Sequence, residues 1–398
     1  MTRFRLFTTL LISFTLITAS ALAAPDITTN EETNASDEQR AHAHNPLLNG
    51  NLFLTGYGDI HYNNIDNTDD TLEIHRFVFG LGYDFSDRVR FRSEVELEHG
   101  FTEMYIEYAY VDVDLTDWAT LRAGAFILPI GFLNQNHEPT FFYSVERPEL
   151  YTRIIPTTWM ETGFGFHGRI IDGLDYQIYA HSSLNYNDGF MGDTGFSGSN
   201  GIRSGRGKLA DTESNDFAGS ARLQYTGVTG LRVGASGFVG QTAQNDARVS
   251  GGLVSLIEAD AKYEFEGIEI EGLAAVIFNP DAGAMTTAQR ADGNIGATDV
   301  IGERMFGYML EGAYHLFHHA WPEAPVDLVA FARWEDYDTH HAVPSGFAKN
   351  HAFDRQTATF GLSFFPVEQI AFKADYSWRD NGAGTANNQF NLGMGYYF

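Results

Sequence analysis

From residue 51 to the chain end, apolar and polar residues alternate one by one, in runs of about ten separated by polar stretches. Between Arg88 and Glu98, Val89, Phe91, Val95 and Leu97 fall on one face, and Arg90, Arg92, Glu94, Glu96 and Glu98 on the other. A period of two sorts residues cleanly onto the faces of a strand and scatters them around a helix. The same pattern sets Ile257, Ala259, Ala261, Tyr263 and Phe265 against Glu258, Asp260, Lys262 and Glu264. It also sets Ile370, Phe372, Ala374, Tyr376 and Trp378 against Lys373, Asp375 and Arg379. A soluble sandwich does not bury rows of charge on its inner face. A closed sheet with lipid outside and water inside accounts for both faces.

The pattern predicts strands near 51–62, 72–84, 88–98, 102–114, 119–127, 159–171, 174–184, 216–225, 231–241, 254–265, 268–278, 304–316, 325–336, 355–365, 369–379 and 388–398. Each is about the 9–11 residues that a tilted strand needs to cross a bilayer. The expected fold is all-β: a transmembrane antiparallel up-and-down barrel of 16 strands over 51–398. Short turns such as Ser86-Asp87, Asp172-Gly173 and Glu266-Gly267 alternate with long polar connections. In such barrels the short turns are periplasmic and the long loops external, and an even strand count returns the C-terminus to the periplasm. The third external connection, 128–158, is long, aromatic and punctuated by Pro129, Pro139, Pro148 and Pro156. It is expected to hold a fixed shape and fold into the lumen. His315, His318 and His319 are placed at a periplasmic turn, and His340 and His341 in an external loop.

Composition narrows the picture. No stretch approaches 18 uninterrupted apolar residues after the N-terminus, and mean hydropathy is −0.22. A transmembrane helix is therefore not expected in the mature chain. Arg3 and Arg5, the apolar run Leu6–Thr18 and the small residues Ser20–Ala24 make residues 1–24 a signal peptide, and 25–50 reads as a flexible periplasmic segment. With no cysteine, disulfides and thiolate sites are excluded. Without the two arginines of residues 1–24, 23 bases face 52 acids, a net of −29. That surface excludes nucleic acid as a partner and suits cations, or divalent-bridged contact with membrane lipid and lipopolysaccharide. There is no Gly-x-Ser-x-Gly turn, phosphate-cradling glycine loop or His-Glu-x-x-His helix, so no catalytic residue, cofactor or metal centre is expected.

Inward positions expected to line a channel are Arg90, Arg92, Glu94, Glu96, Arg122, Glu258, Asp260, Arg333, Lys373 and Asp375. The last strand alternates Phe390, Leu392, Met394, Tyr396 and Phe398, and its end resembles the signal by which the barrel-assembly machinery recognises outer-membrane proteins. Leu121-Arg122-Ala123-Gly124-Ala125-Phe126 running into Pro129-Ile130-Gly131, then Val145-Glu146-Arg147-Pro148, resembles the porin O/P type, the phosphate-selective porin family. The likeness is best over about 54–181 and at the last strand. It implies a sixteen-stranded trimeric channel with Glu146 and Arg147 in or beside an inward loop. Only four lysines are present, Lys208, Lys262, Lys349 and Lys373, so phosphate selectivity is not carried over. Together these features point to a homotrimeric porin in the outer membrane of a Gram-negative cell, exported through the periplasm and passing small polar solutes and ions by diffusion. Glu138, Glu146, Arg147 and Arg153 are the expected constriction. Because acids outnumber bases on the inward faces, a neutral to weakly cation-preferring channel is expected. The competing readings are a barrel enzyme of the lipase or protease type and an adhesion barrel.

Overall fold

The computed structural model describes residues 51–189, 192–210 and 212–398, so the expected signal peptide and the 25–50 segment lie outside the described residues. Sixteen strands form one closed antiparallel barrel in which each pairs with its sequence neighbours and the first closes on the last. They are β1 (Leu52–Ile65), β2 (Thr71–Ser86), β3 (Val89–Glu98), β4 (Glu103–Thr116), β5 (Ala119–Ile127), β6 (Met160–Ile171), β7 (Leu174–Ser182) and β8 (Phe217–Val228). The second half comprises β9 (Leu231–Gln241), β10 (Leu253–Phe265), β11 (Ile268–Phe278), β12 (Arg304–His315), β13 (Asp327–Ala342), β14 (Asp354–Val367), β15 (Ile370–Asn381) and β16 (Gln389–Tyr397). Among the described residues, four short α-helices lie in the connections: α1 (Phe132–Gln135), α2 (Leu150–Arg153), α3 (Ala282–Asp292) and α4 (Phe317–Ala320).

The expected spans match these strands closely, with one functional correction. β13 runs to Ala342 rather than 336, so His340 and His341 lie in a strand and not in an external loop. Pairing of Ala342 with Arg304 keeps this polar stretch extended, and the bond between His340 and the Val300 carbonyl (2.5 Å) holds His340 inside while His341 stays exposed.

Every link at one end of the barrel is two residues long except 316–326. In the β10–β11 link Glu266 (φ 51°) and Gly267 (φ 75°) are both left-handed, the turn whose twist matches that of paired strands. The other end carries the long loops. Outside, Phe79, Leu81, Phe164, Ile178, Leu223, Ile257, Leu310, Phe360, Phe372 and Leu392 are exposed, while charged residues of the opposite parity are buried inside. Only a lipid environment makes such a belt stable. Tyr83, Tyr225, Tyr263 and Trp378 are exposed on the same outer face.

Several register shifts interrupt the alternation, and two of them are bulges beside the lumenal site. In β2, Asp59 faces Arg76 while the next residue, Ile60, faces Ile74, leaving His75 as the extra residue. In β4, Glu94 faces Tyr108 and Val95 faces Ile106, leaving Glu107 extra. Because side chains alternate with period two, one added residue reverses the parity beyond it. Thus Phe79 and Leu81 point outward below the first bulge, and Leu72 and Ile74 above it.

Candidate functional site

The connection 128–159, here called L3, lies inside the lumen. Its apolar residues Leu128, Ile130, Leu133, Leu150, Ile154 and Trp159 are buried in one cluster with Phe238, Val254, Leu256, Leu273, Ile277 and Met309 from β9–β12. The Trp159 and Phe238 rings are 4.7 Å apart. Ala282, Met285 and Ala288 of α3 join the same cluster from above. The sequence carries a trace of this packing: Leu273–Phe278 is apolar at both parities, as in a strand covered on both faces.

Toward the other wall L3 is held by polar contacts. Lys373 donates to the Phe142 carbonyl (2.6 Å) and the Ser144 carbonyl (2.9 Å). Asp375 accepts from the Val145 amide (2.6 Å), and Glu335 from the Leu150 amide (3.0 Å). Arg333 donates to Ser144 Oγ (2.9 Å) while paired with Glu311 and Glu335. Lys373, Asp375 and Arg333, expected to line open water, are only 5%, 2% and 4% exposed and instead fasten the loop. The reason is general: a loop buried in a barrel has backbone groups that must find partners there.

What L3 leaves open is a cavity of about 590 Å³ at the loop end. One wall is basic: Arg147 and Arg153 come from L3, and Arg203, Arg206 and Lys208 from the connection 183–216. The facing strands bring Asp59, His61, Glu73, His75, Glu98 and Glu103. Glu146 leans from L3 to the strands, accepting from Asn63 (2.8 Å) and contacting His61 Nδ1 (3.1 Å). Enclosure by protein pushes its carboxyl up, but the hydrogen bonds from His61 and Asn63 and the nearby imidazoles outweigh that and hold it at about 2. Arg147 donates to Thr158 Oγ1 (2.8 Å), and Arg206 to the Thr157 carbonyl. Burial and the neighbouring Arg203 pull Arg206 down to about 9.

A second cavity of about 400 Å³ opens toward the turn end, lined by Thr55, Tyr57, Glu94, Glu138 and Phe398 among others. Glu138 therefore lies on the far side of L3 from Glu146, Arg147 and Arg153, and the four expected constriction residues do not form one group. Between the cavities stands a hydrogen-bonded set. Tyr57 donates to Glu107 (2.8 Å), and His137 Nε2 lies 2.6 Å from Glu107 and 2.8 Å from the Tyr57 hydroxyl. Arg76 donates to the His137 carbonyl (2.9 Å) and to Asp59 (3.3 Å).

The other inward positions form pairs along the wall. Arg90 binds Asp114, Arg92 binds Asp84 and Arg122 binds Asp112, at 2.5, 2.7 and 2.9 Å. Glu258 and Asp260 flank Arg222, at 3.5 and 2.7 Å. Glu94 and Glu96 are buried beside Glu107. On β16, Met394 and Tyr396 share the outward parity of Leu392. The Phe398 amide and carbonyl pair with Gly56 at 2.8 and 2.9 Å, so the terminal residue closes the barrel. Period-two reading missed Glu73, His75 and Glu107, because counting from the regular part of each strand puts all three outside. A charge or an imidazole on a lipid-facing parity was the available signal.

No family model matches the chain. An uncharacterized protein of Aquifex aeolicus (strain VF5) is 31% identical over 337 residues, covering 82% of this chain and 75% of its own length. Among solved structures, Salmonella typhi OmpF in complex with daunomycin is 11% identical and covers 88% of this chain and 98% of that one, with a TM-score of 0.59. The outer-membrane channel DcaP of Acinetobacter baumannii is 14% identical, covering 87% and 97%, with a TM-score of 0.56. The anion-selective porin from Comamonas acidovorans is 12% identical, covering 87% and 99%, with a TM-score of 0.54. At these identities the likeness is one of fold: the chain has the porin barrel.

Proposed function

We infer that this chain, which belongs to one family with the uncharacterized Aquifex aeolicus protein, is an outer-membrane porin that passes small polar solutes and ions by passive diffusion. The observation that carries this reading is the cavity of about 590 Å³ between a basic loop wall and an acidic strand wall, inside a barrel whose outside is apolar. Opposed charges across a narrow passage orient water and favour polar over apolar solutes. Although the chain is strongly acidic, five bases from two loops meet the strand carboxylates here, so the passage is nearly balanced and selects weakly by charge. The two cavities are divided by the hydrogen-bonded set of Tyr57, Glu107, His137 and Arg76.

The turn end faces the periplasm and the loop end the medium, in contact with lipopolysaccharide. The Val145-Glu146-Arg147-Pro148 motif, with Glu146 and Arg147 on the cavity, supports kinship with the porin O/P type without its phosphate selectivity. Small outward residues, Gly219 with Ala221 and Ala259 with Ala261, suit a wall packed against a second copy, and the assembly proposed is a homotrimer. The last strand, ending at Phe398, also serves as the signal for barrel assembly. Purified protein in a planar bilayer tests the function: discrete ohmic steps with reversal potentials near zero in a salt gradient are expected. A silent barrel would overturn the reading, and strong ion preference would overturn the balanced passage.

A further inference from the structure

Among the described residues, two groups of three side chains bring metal-ligating atoms within 4.8 Å of one another: Glu73, His75 and His99 at the loop end, and Glu266, His318 and His319 at the turn end. The second group lies on exposed turns, where such clusters collect without consequence. The first is constructed. The β2 bulge turns His75, which its parity would send into lipid, toward the lumen. Bulges that redirect a side chain are concentrated beside functional sites. His99 reaches it from the β3–β4 link through three successive left-handed residues, His99 (φ 49°), Gly100 (φ 64°) and Phe101 (φ 72°). Two of these are not glycine, a backbone path rarely taken without reason.

The two imidazoles converge on one carboxylate. Glu73 Oε1 lies 3.1 Å from His75 Nδ1, and Glu73 Oε2 lies 3.2 Å from His99 Nδ1. Ligand atoms around a tetrahedral zinc ion stand about 3.4 Å apart, since Zn–N bonds are about 2.1 Å. The two contacts reach different oxygens of Glu73, so a small rotation of the carboxylate brings one oxygen to that distance from both nitrogens, and His99, on an exposed turn, closes the remaining edge. Behind His75 the His61 ring stacks at 4.4 Å and 13°, itself fixed by Asp59 and Glu146 on its two nitrogens. That backing fixes the His75 ring plane, as supports behind metal ligands do.

We propose that Glu73, His75 and His99 bind a divalent transition-metal ion, with Zn²⁺ the best match to two imidazoles and one carboxylate. Three protein ligands leave the fourth position open, and all three residues line the large cavity. The ion therefore sits in the path of solutes, where it offers a site to an anionic group and changes the charge of the acidic wall.

The test is calorimetric titration of ZnCl₂ into the detergent-solubilised full barrel carrying His318→Ala and His319→Ala, which silences the turn-end group. Saturable one-to-one binding is expected, weakened at least about ten-fold by His99→Asn. Asparagine tolerates the left-handed backbone at that position, so the turn is kept while the imidazole is lost. Heat-dependent gel migration confirms that the variant barrel is folded. In a planar bilayer, ZnCl₂ added on the loop side should lower conductance in the starting protein and not in His99→Asn. Absence of binding, or binding and block untouched by His99→Asn, would overturn the proposal.

Discussion

Within the lumen, the wall made by β9–β12 and the wall made by β1–β4 treat L3 in opposite ways. The first wall turns Phe238, Leu256, Leu273 and Met309 inward and packs them in one buried cluster with Trp159, Leu150 and Ile154. The second wall turns Asp59, His61, Glu73 and Glu98 toward the cavity, and meets the loop through polar contacts: those of Tyr57, Arg76 and Glu107 with His137, and those of His61 and Asn63 with Glu146. A loop anchored by apolar burial on one side need not be held tightly on the other. The side left unpacked is therefore the side that stays open. In this barrel, the hydrophobic cluster determines where the water goes.

Removing the loop's lumenal span should have the largest effect. Deletion of Asn134–Ser144 takes out His137 and the backbone groups held by Lys373, and should raise single-channel conductance several-fold. Unchanged conductance would show that the open side is not the path. Next, Trp159→Ala should destabilise the barrel by about 3–5 kcal/mol in a denaturant titration followed by gel shift, because a fully buried indole leaves a cavity. The matching change on the open side, Asn63→Ala, removes its bonds to Glu146 and Asn391 and should lower stability by about 1–2 kcal/mol. Equal losses would erase the contrast between the walls. Outside, that contrast should vanish: Ile257→Arg behind the packed wall and Phe79→Arg behind the open wall should each destabilise by about 2–4 kcal/mol near the bilayer midplane.

The smallest effect is a pH dependence. Glu146 is held at about 2, below its ordinary value near 4.3, so its contribution is complete above that ordinary value. It is lost as pH falls toward 2. Current noise from a loosened L3 should therefore rise between about pH 4 and pH 2, and Glu146→Gln should show no such transition. A transition of the same size in Glu146→Gln would assign it to another group.

The alternation of residues along the chain was enough to find the barrel, its sixteen strands, its two unlike ends and its apolar exterior, because side-chain direction in a strand depends only on sequence parity. The pattern around Val89–Glu98 or Ile370–Trp378 needs no tertiary information to be read. The site was legible only in part. Glu146, Arg147 and Arg153 stand out in a proline-marked loop, but Glu138 separates from them because L3 passes between two cavities. Lys373, Asp375 and Arg333 face inward as parity requires, yet the folded loop covers them. Glu73, His75 and Glu107 were hidden for a different reason. A bulge is a choice made between two paired strands, here where Ile60 meets Ile74 and Val95 meets Ile106. One strand's own sequence does not contain that choice. Parity is a local property of the chain. Register, bulges and the course of a loop through the lumen are set by partners far along the sequence, and only the closed barrel decided them.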